Sequence, residues 1–140
     1  GMDGKEFVFS KFRSLPIGGP EVESTEVEIL RYTRLGRFIR RTSLDELPQL
    51  YNIIKGDMSF VGPRPCISSQ KNLLELRKLN GSLNILPGLT GLAQVRSYDG
   101  MSNEVKSFFD GEYYENCSFF LDLNILFNTL LYLFKKPPTY

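Results

Sequence analysis

Residues 43–65 read Ser-Leu-Asp-Glu-Leu-Pro-Gln-Leu-Tyr-Asn-Ile-Ile-Lys-Gly-Asp-Met-Ser-Phe-Val-Gly-Pro-Arg-Pro. Apolar residues recur here at helical spacing, which predicts a helix from about Asp45 to Lys55 that ends before Gly56. Residues 57–65 then predict a loop. Two adjacent acids open the stretch and an arginine between two prolines closes it, so carboxylates and a rigidly held cation lie close in sequence. This combination is typical of chemistry on phosphate groups.

The two adjacent acids, Asp45 and Glu46, have two explanations. Ser43 and Glu46 fit a capping box, in which each satisfies a free backbone N–H at the helix start. Pro48 would then clash with the carbonyl of Leu44, whereas Asp45 as N-cap keeps Pro48 inside the first turn. Either version is structural, and the pattern alone favours it. Alternatively, an ionised aspartate at a helix start can attack phosphorus, and the acid beside it can hold Mg²⁺.

The composition narrows the classes of function. The chain has 140 residues, a net charge of +1 and 41% hydrophobic residues, which is ordinary for one globular domain over residues 1–140. The small net charge gives no case for nucleic acid as a partner. There is no histidine, which excludes histidine general bases, serine triads and most zinc sites. Cys66 and Cys117 form no metal-ligand pattern and favour a reducing environment.

The flanking sequence predicts a compact, mostly helical α+β domain. Apolar and polar residues alternate near the start, and we expect a small β-hairpin over residues 5–14. Five arginines within 31–41 alternate with apolar residues at helical spacing; this predicts an amphipathic helix, whose cationic side is either a binding surface or simply solvated. Residues 87–95 predict a turn that leads into a short extended run. Further helices are predicted over 69–80, 103–115 and 119–134.

Residues 119–134 are apolar on nearly every side, although polar residues such as Asp122 interrupt them. A segment of this length and polarity is too short to span a bilayer. It is either a helix buried in the core or an interfacial helix whose apolar side enters the headgroup region, with Lys135 and Lys136 contacting anionic lipid. We expect a mixture, with one part packed on the domain and another facing lipid.

Several ordered motifs give nearly the whole chain, from residue 4 onward, a specific resemblance to a known family. They are Lys11-Phe-Arg-Ser14, Thr33-Arg-x-Gly-Arg-Phe-Ile-Arg40, Ser43-Leu-Asp-Glu-Leu-Pro-Gln49, Gly56-Asp-Met-Ser-x-Val-Gly-Pro-Arg-Pro65, Pro87-Gly-Leu-Thr-Gly-x-Ala-Gln94, Asp110-x-x-Tyr113 and Asn116-x-Ser-Phe-x-Leu-Asp122. Together they resemble the bacterial sugar transferases, which are the monotopic polyprenyl-phosphate phosphoglycosyl transferases.

The resemblance implies a two-step reaction at the cytoplasmic face of the bacterial inner membrane. Asp45 would attack the β-phosphate of a UDP-sugar, release UMP and carry the phosphosugar as a covalent aspartyl intermediate. Polyprenyl (undecaprenyl) phosphate would then accept the phosphosugar. The product would initiate surface glycans, such as capsule or exopolysaccharide, or glycoconjugates. Glu46 is the implied partner acid and the implied ligand of Mg²⁺.

The resemblance also implies binding residues and partners. Arg64 is expected at the phosphates. The supporting phosphate- and nucleotide-binding residues are Lys11, Arg13, Arg34, Arg37 and Gln94. Expected partners are the UDP-sugar, polyprenyl phosphate, the inner membrane surface and a second copy in a homodimer, but not nucleic acid. Members of the family carry an N-terminal membrane helix; because this chain starts with Gly1-Met2, typical of cloning, we expect a truncated, soluble catalytic domain.

Two other functions stay open at this point. Many relatives carry an Asn-Gly-Arg-like run where this chain has Arg96-Ser97-Tyr98. This departure mildly favours a catalytically degenerate module that binds nucleotide sugar or membrane during polysaccharide assembly, whereas the intact acid pair and the Pro-Arg-Pro motif argue against such a module. A Mg²⁺-dependent pyrophosphatase would use the same acids and arginine, but it would release sugar phosphate to water.

Overall fold

The computed structural model describes residues 1–14, 33–96 and 101–134. Within these ranges the chain is mostly helical with a small two-stranded sheet, so the predicted α+β class is confirmed. No helix in these ranges is long and apolar enough to cross a membrane. The elements are α1 (Arg34–Arg41), α2 (Gln49–Lys55), β1 (Ser59–Val61), α3 (Lys71–Leu79), β2 (Gly88–Thr90), α4 (Leu92–Arg96), α5 (Asn103–Asn116) and α6 (Phe119–Phe134).

The sheet pairs β1 with β2 in parallel, with Ser59 opposite Gly88 and Val61 opposite Thr90. Parallel neighbours need a crossover connection, and here the crossover contains α3. The backbones meet closely, because a Cβ added to Gly88 would lie 2.1 Å from the nitrogen of Gly62. Because Gly62 and Gly88 have no side chains, the backbone of the loop that follows β1 can pass in close contact with β2.

A cluster of buried side chains joins β1 to the three C-terminal helices. Its members are Val61, Leu92, Tyr113 and Ile125. The Tyr113 hydroxyl donates to Asp122 Oδ1 at 2.8 Å, and burial together with this bond raises the pKa of Tyr113. This contact fixes α6 against α5.

One side of α6 packs on the domain and another side is exposed. Ile125 is 0% exposed, whereas Phe119 and Phe120 are 76% and 80% exposed. The predicted division into packed and open sides is therefore confirmed. Contact with lipid stays a prediction, and Lys135 and Lys136 lie outside the described residues.

The predicted β-hairpin over residues 5–14 is wrong. This segment contains no strand, and it contacts α2 and the turn before it through hydrogen bonds. Its backbone bonds to other groups: Asn52 Nδ2 donates to the Val8 carbonyl at 2.9 Å, and the Phe12 N–H donates to the Asp45 carbonyl at 2.9 Å. The alternation of apolar and polar residues predicted a strand with one buried side, but the apolar residues do not form such a side, since Val8 is 80% exposed.

The start of α2 differs from both capping predictions. Ser43 has a left-handed backbone (φ 53°) and makes no capping hydrogen bond with its side chain. Asp45 is not an N-cap either, because Leu44–Glu46 forms a separate 3₁₀ turn. The α-helix begins only at Gln49, with Pro48 as its N-cap. Proline lacks an N–H and would clash with the carbonyl four residues earlier, so an α-helix cannot run through it from that turn.

The remaining boundaries agree more closely with the sequence. Helices α5 and α6 occupy their predicted ranges, and α3 starts two residues late. The extended run after Pro87 stops at Thr90, so its predicted continuation to Val95 is wrong. Those later residues form α4 because Leu92 and Val95, three apart, both face the core cluster. For the arginine-rich helix, residues 31 and 32 lie outside the described ranges, and Thr33 caps α1.

Candidate active site

Three charged side chains from distant parts of the sequence meet at Glu46. Lys11 Nζ donates to Glu46 Oε1 at 2.9 Å, and Arg64 Nη2 donates to the same oxygen. The Glu46 side chain is 17% exposed, against 35% for Lys11 and 40% for Arg64. We call these three residues the charge cluster. Its two cations remain partly open to solvent, so an anionic ligand can reach them.

The cluster changes the acidity of Glu46. Burial is the largest influence and by itself raises the pKa of Glu46. The charges and hydrogen bonds of Arg64 and Lys11 outweigh burial, so the pKa of Glu46 lies below its ordinary value. Glu46 is therefore held in its ionised form between the two cations.

Asp45 lies beside the cluster in a different environment. The residue is 5% exposed, and its carbonyl accepts the Phe12 N–H. Burial raises the pKa of Asp45, and the charge of Glu46 adds to this, while Lys11 and Arg40 oppose it. Two adjacent carboxyl groups thus have opposite pKa shifts, which is a pattern typical of functional carboxylates.

The backbone on either side of Arg64 is tied to other elements. The Gly62 N–H donates to the Thr90 carbonyl, and the Gly88 N–H donates to the Pro63 carbonyl, both at 2.9 Å. The carbonyl of Arg64 itself accepts a hydrogen bond from α3. Prolines 63 and 65 restrict φ on both sides. Arg64 is consequently displayed from a loop whose backbone is held in place.

The donor from α3 is Arg77, which the sequence did not mark as functional. Its Nη1 donates to the Arg64 carbonyl at 2.9 Å, and its Nε donates to Asp110 Oδ2 at 2.8 Å. One signal could have found it, because Arg77 follows the buried Leu73 by four residues and so lies on the packed side of α3. A charge on that side needs a partner.

Other predicted binding residues are not brought into the cluster. Arg13, Arg34 and Arg37 are exposed, and within the described residues no ion pair joins them to Glu46. The arginine of α1 whose charge acts on Asp45 is Arg40, which sequence reasoning left out of the site. The binding roles of the first three arginines stay predictions.

Gln94 lies close to Gly62, at the start of the loop that carries Arg64. Its Oε1 would be 2.8 Å from a Cβ on Gly91, and that same Cβ would be 2.1 Å from the Gly62 carbonyl oxygen. Both polar atoms of the Gln94 side chain are buried without a hydrogen-bond partner among the described residues. Its predicted contact with substrate stays a prediction. Of the altered run at 96–98, Ser97 and Tyr98 lie outside the described residues.

A magnesium ion fits the acids of this site. In the described ranges no group of three or more metal-ligating Cys, Asp or Glu side chains occurs. Mg²⁺ is usually held by one or two carboxylates, substrate phosphates and water, so it does not need such a group. Both Lys11 and Arg64 bond to Oε1 of Glu46, so neither of these cations occupies Oε2. That second oxygen is the atom through which Glu46 would hold Mg²⁺.

Comparison with known proteins agrees with the motifs. The sequence profile described as "Bacterial sugar transferase" matches residues 1–136. Over its whole length the chain is 38% identical to the UDP-galactose-lipid carrier transferase of Erwinia amylovora and covers 33% of that protein. It is 36% identical to the undecaprenyl-phosphate galactose phosphotransferase of Salmonella typhimurium, again over the whole chain and 33% of the relative.

A third relative is the UDP-glucose:undecaprenyl-phosphate glucose-1-phosphate transferase of Escherichia coli. It is 35% identical over the whole chain, which covers 32% of it. The chain thus spans about a third of the length of these curated relatives. The match along nearly the entire chain shows that it belongs to the bacterial sugar transferase family.

Proposed function

We propose that this domain transfers a phosphosugar from a UDP-sugar to polyprenyl phosphate through a covalent intermediate on Asp45. The observation that carries the proposal is the buried Asp45 carboxyl beside the charge cluster of Lys11, Glu46 and Arg64. A carboxylate nucleophile and cations that bind phosphate oxygens are the two things that such a transfer requires.

In the first step a carboxylate oxygen of Asp45 attacks the β-phosphorus of the UDP-sugar. The new bond joins that oxygen to phosphorus, the bond between phosphorus and the bridging oxygen breaks, and UMP leaves with the bonding electron pair. Burial leaves the Asp45 carboxylate poorly solvated, which favours its attack. Arg64 and Lys11 stabilise the negative charge that accumulates on the phosphate oxygens.

In the second step a phosphate oxygen of the polyprenyl phosphate attacks the same phosphorus. The bond to Asp45 breaks, the carboxylate is restored, and the product is a polyprenyl-diphosphate sugar. Magnesium, when bound, would reduce the repulsion between the anionic nucleophile and the diphosphate. Glu46 is the residue that would hold it, through the oxygen that the two cations leave open.

The names of the relatives support the donor and acceptor classes. Two of them are named for galactose and one for glucose, and two name undecaprenyl phosphate. We infer the same classes for this chain: a UDP-hexose donor and a polyprenyl-phosphate acceptor. The product would start a bacterial surface glycan.

A lipid acceptor places the site near the cytoplasmic surface of the inner membrane. Exposed apolar side chains support this location, because patches of this kind mark interaction or membrane sites. They include Phe12, Leu35 and Phe38 near the site and, on α6, Phe119, Phe120, Leu123 and Phe127.

The test is to detect the intermediate in the full-length protein. Incubated with a UDP-sugar and Mg²⁺ but without lipid, the protein should release UMP and gain the mass of a phosphosugar on the peptide that carries Asp45. Asp45→Asn should abolish both signals. Asp3→Asn is the matched control, because it makes the same chemical change at an exposed site, where the left-handed backbone of Asp3 also suits asparagine.

The outcomes separate the candidate functions. Normal UMP release by Asp45→Asn would overturn the assignment of the nucleophile. Release of sugar phosphate at the same rate with and without polyprenyl phosphate would instead identify a pyrophosphatase. Binding of the UDP-sugar with neither UMP release nor an adduct would identify a non-catalytic module.

A further inference from the structure

A buried ion pair links α3 to α5 directly behind the loop that carries Arg64. Arg77 Nε donates to Asp110 Oδ2 at 2.8 Å, and its Nη2 lies 2.7 Å from the same oxygen. The Arg77 side chain is 6% exposed and that of Asp110 is 2% exposed. Removing two charges from water is costly, and apolar residues of similar volume are often as stabilising as a buried pair. Stability alone is therefore a weak reason for this pair.

The geometry of the guanidinium allows Arg77 to bind a second group while it is paired with Asp110. Asp110 uses the Nε and Nη2 side of the planar fork, which leaves Nη1 to donate to the Arg64 carbonyl at 2.9 Å. A lysine has a single nitrogen on a flexible stem, so it could not hold both groups in one plane. The contact requires an arginine that is itself held by an acid.

The hydrogen bond acts at the residue whose side chain faces the cluster. The preceding carbonyl, that of Pro63, is held by Gly88, and Pro65 has no N–H to offer. The direction of the Arg64 peptide therefore depends on Arg77. Because the Arg64 side chain is long, a small change in the direction of its peptide displaces the guanidinium by a larger distance from the phosphate oxygen that it would bind.

We propose that Arg77, clamped by Asp110, is a positioning residue that holds Arg64 in its phosphate-binding orientation. The proposal rests on the proposed function for its catalytic consequence. The ordering of Arg64 does not depend on that function, and it can be measured without substrate. Neither Arg77 nor Asp110 touches the reacting atoms.

The first test measures Arg64 in the substrate-free full chain. The ¹⁵N order parameter of its Nε–H should fall in Arg77→Lys, because the carbonyl contact is lost. The matched control is Leu73→Ala, which weakens the buried side of the same helix but leaves the pair intact, and it should leave Arg64 ordered. If Arg77→Lys does not fold, Arg77→Met with Asp110→Leu removes both charges at similar volume and should disorder Arg64 equally.

The second test measures catalysis. Arg77→Lys should reduce kcat/KM by about 10- to 100-fold, mainly in kcat, whereas Leu73→Ala should not. In an Arg64→Gln background the same lysine substitution should have little further effect on kcat/KM, because there is no guanidinium left to position.

The results distinguish the two proposals. If Arg64 keeps its order in Arg77→Lys, the positioning role is overturned whatever the enzyme does. If the lysine substitution lowers kcat/KM equally with and without Arg64, the role is also overturned. A wild-type protein without transferase activity, but with an Arg64 that loses order in Arg77→Lys, would overturn the proposed function and retain the positioning role.

Discussion

Glu46 should stabilise the fold, and Glu46→Gln measures by how much. The substitution leaves Lys11 and Arg64 with a neutral acceptor. A hydrogen bond to a charged group contributes about 1.5–3 kcal/mol when buried, and an exposed ion pair contributes about 0–1 kcal/mol. Since Glu46 is 17% exposed and its partners are 35% and 40% exposed, we expect a loss of roughly 1–2 kcal/mol near neutral pH. Part of this loss is offset, because the substitution also removes the repulsion between the carboxylates of Glu46 and Asp45, which raises the pKa of Asp45.

The pH dependence of this loss has a definite sign. The folded state lowers the pKa of Glu46 below its ordinary value of 4.5. Its contribution is therefore fully present above that value and disappears as the pH falls through the lower, folded value. The difference in unfolding free energy between wild type and Glu46→Gln should be greatest at neutral pH and should shrink as the pH falls below 4.5.

The assay is urea unfolding in metal-free buffer across that pH range. Glu75→Gln is the matched control, because it removes the same charge from an exposed position of α3 and should change stability by less than about 0.5 kcal/mol. Equal stabilities of Glu46→Gln and wild type at every pH would refute the reasoning, since the charge cluster would then contribute nothing to the fold.

Two further outcomes follow from the same structure. As the pH falls, the rate of phosphosugar-adduct formation should decline at a higher pH than an ordinary aspartate would give, because burial raises the pKa of Asp45. The charge of Lys11 lowers that pKa, so in a pH–rate profile of Lys11→Met the decline should occur at a still higher pH. Gly81→Ala should destabilise the domain more than Gly56→Ala in thermal unfolding: both glycines have φ near 80°, which costs about 1 kcal/mol with a side chain, but a Cβ at Gly81 would also lie 2.6 Å from Tyr114, whereas Gly56 faces open space. Equal losses would show that the Tyr114 ring moves aside freely.

The sequence predicted the helices whose signals are local. Helices α5 and α6 carry long apolar patterns, and Gly56 ends α2 with the positive φ that glycine permits. Predictions from local sequence patterns were wrong where a backbone group forms its hydrogen bond with a residue distant in sequence. The segment around Val8 alternates like a strand, but its carbonyl bonds to the side chain of Asn52, 44 residues away.

The site was predictable only as far as its motifs. The resemblance pointed to Glu46, Lys11 and Arg64 separately, and the structure brings these three together. It gave no reason to connect Arg77 with Asp110, because a buried ion pair between two helices has no periodicity of its own. Such a pair becomes visible only when the packing of α3 on α5 is known.

The long spacing of these contacts also determines how the protein acquires its site during folding. Lys11 and Glu46 are 35 residues apart, and Arg77 and Asp110 are 33 apart. Closing each loop costs on the order of 3 kcal/mol of chain entropy beyond a constant, so neither contact forms early in an isolated segment. A growing chain exposes Asp45 long before Asp110 has been synthesised. If Arg77 positions Arg64 as proposed, the site is complete only after α5 has docked on α3 and brought Asp110 to Arg77.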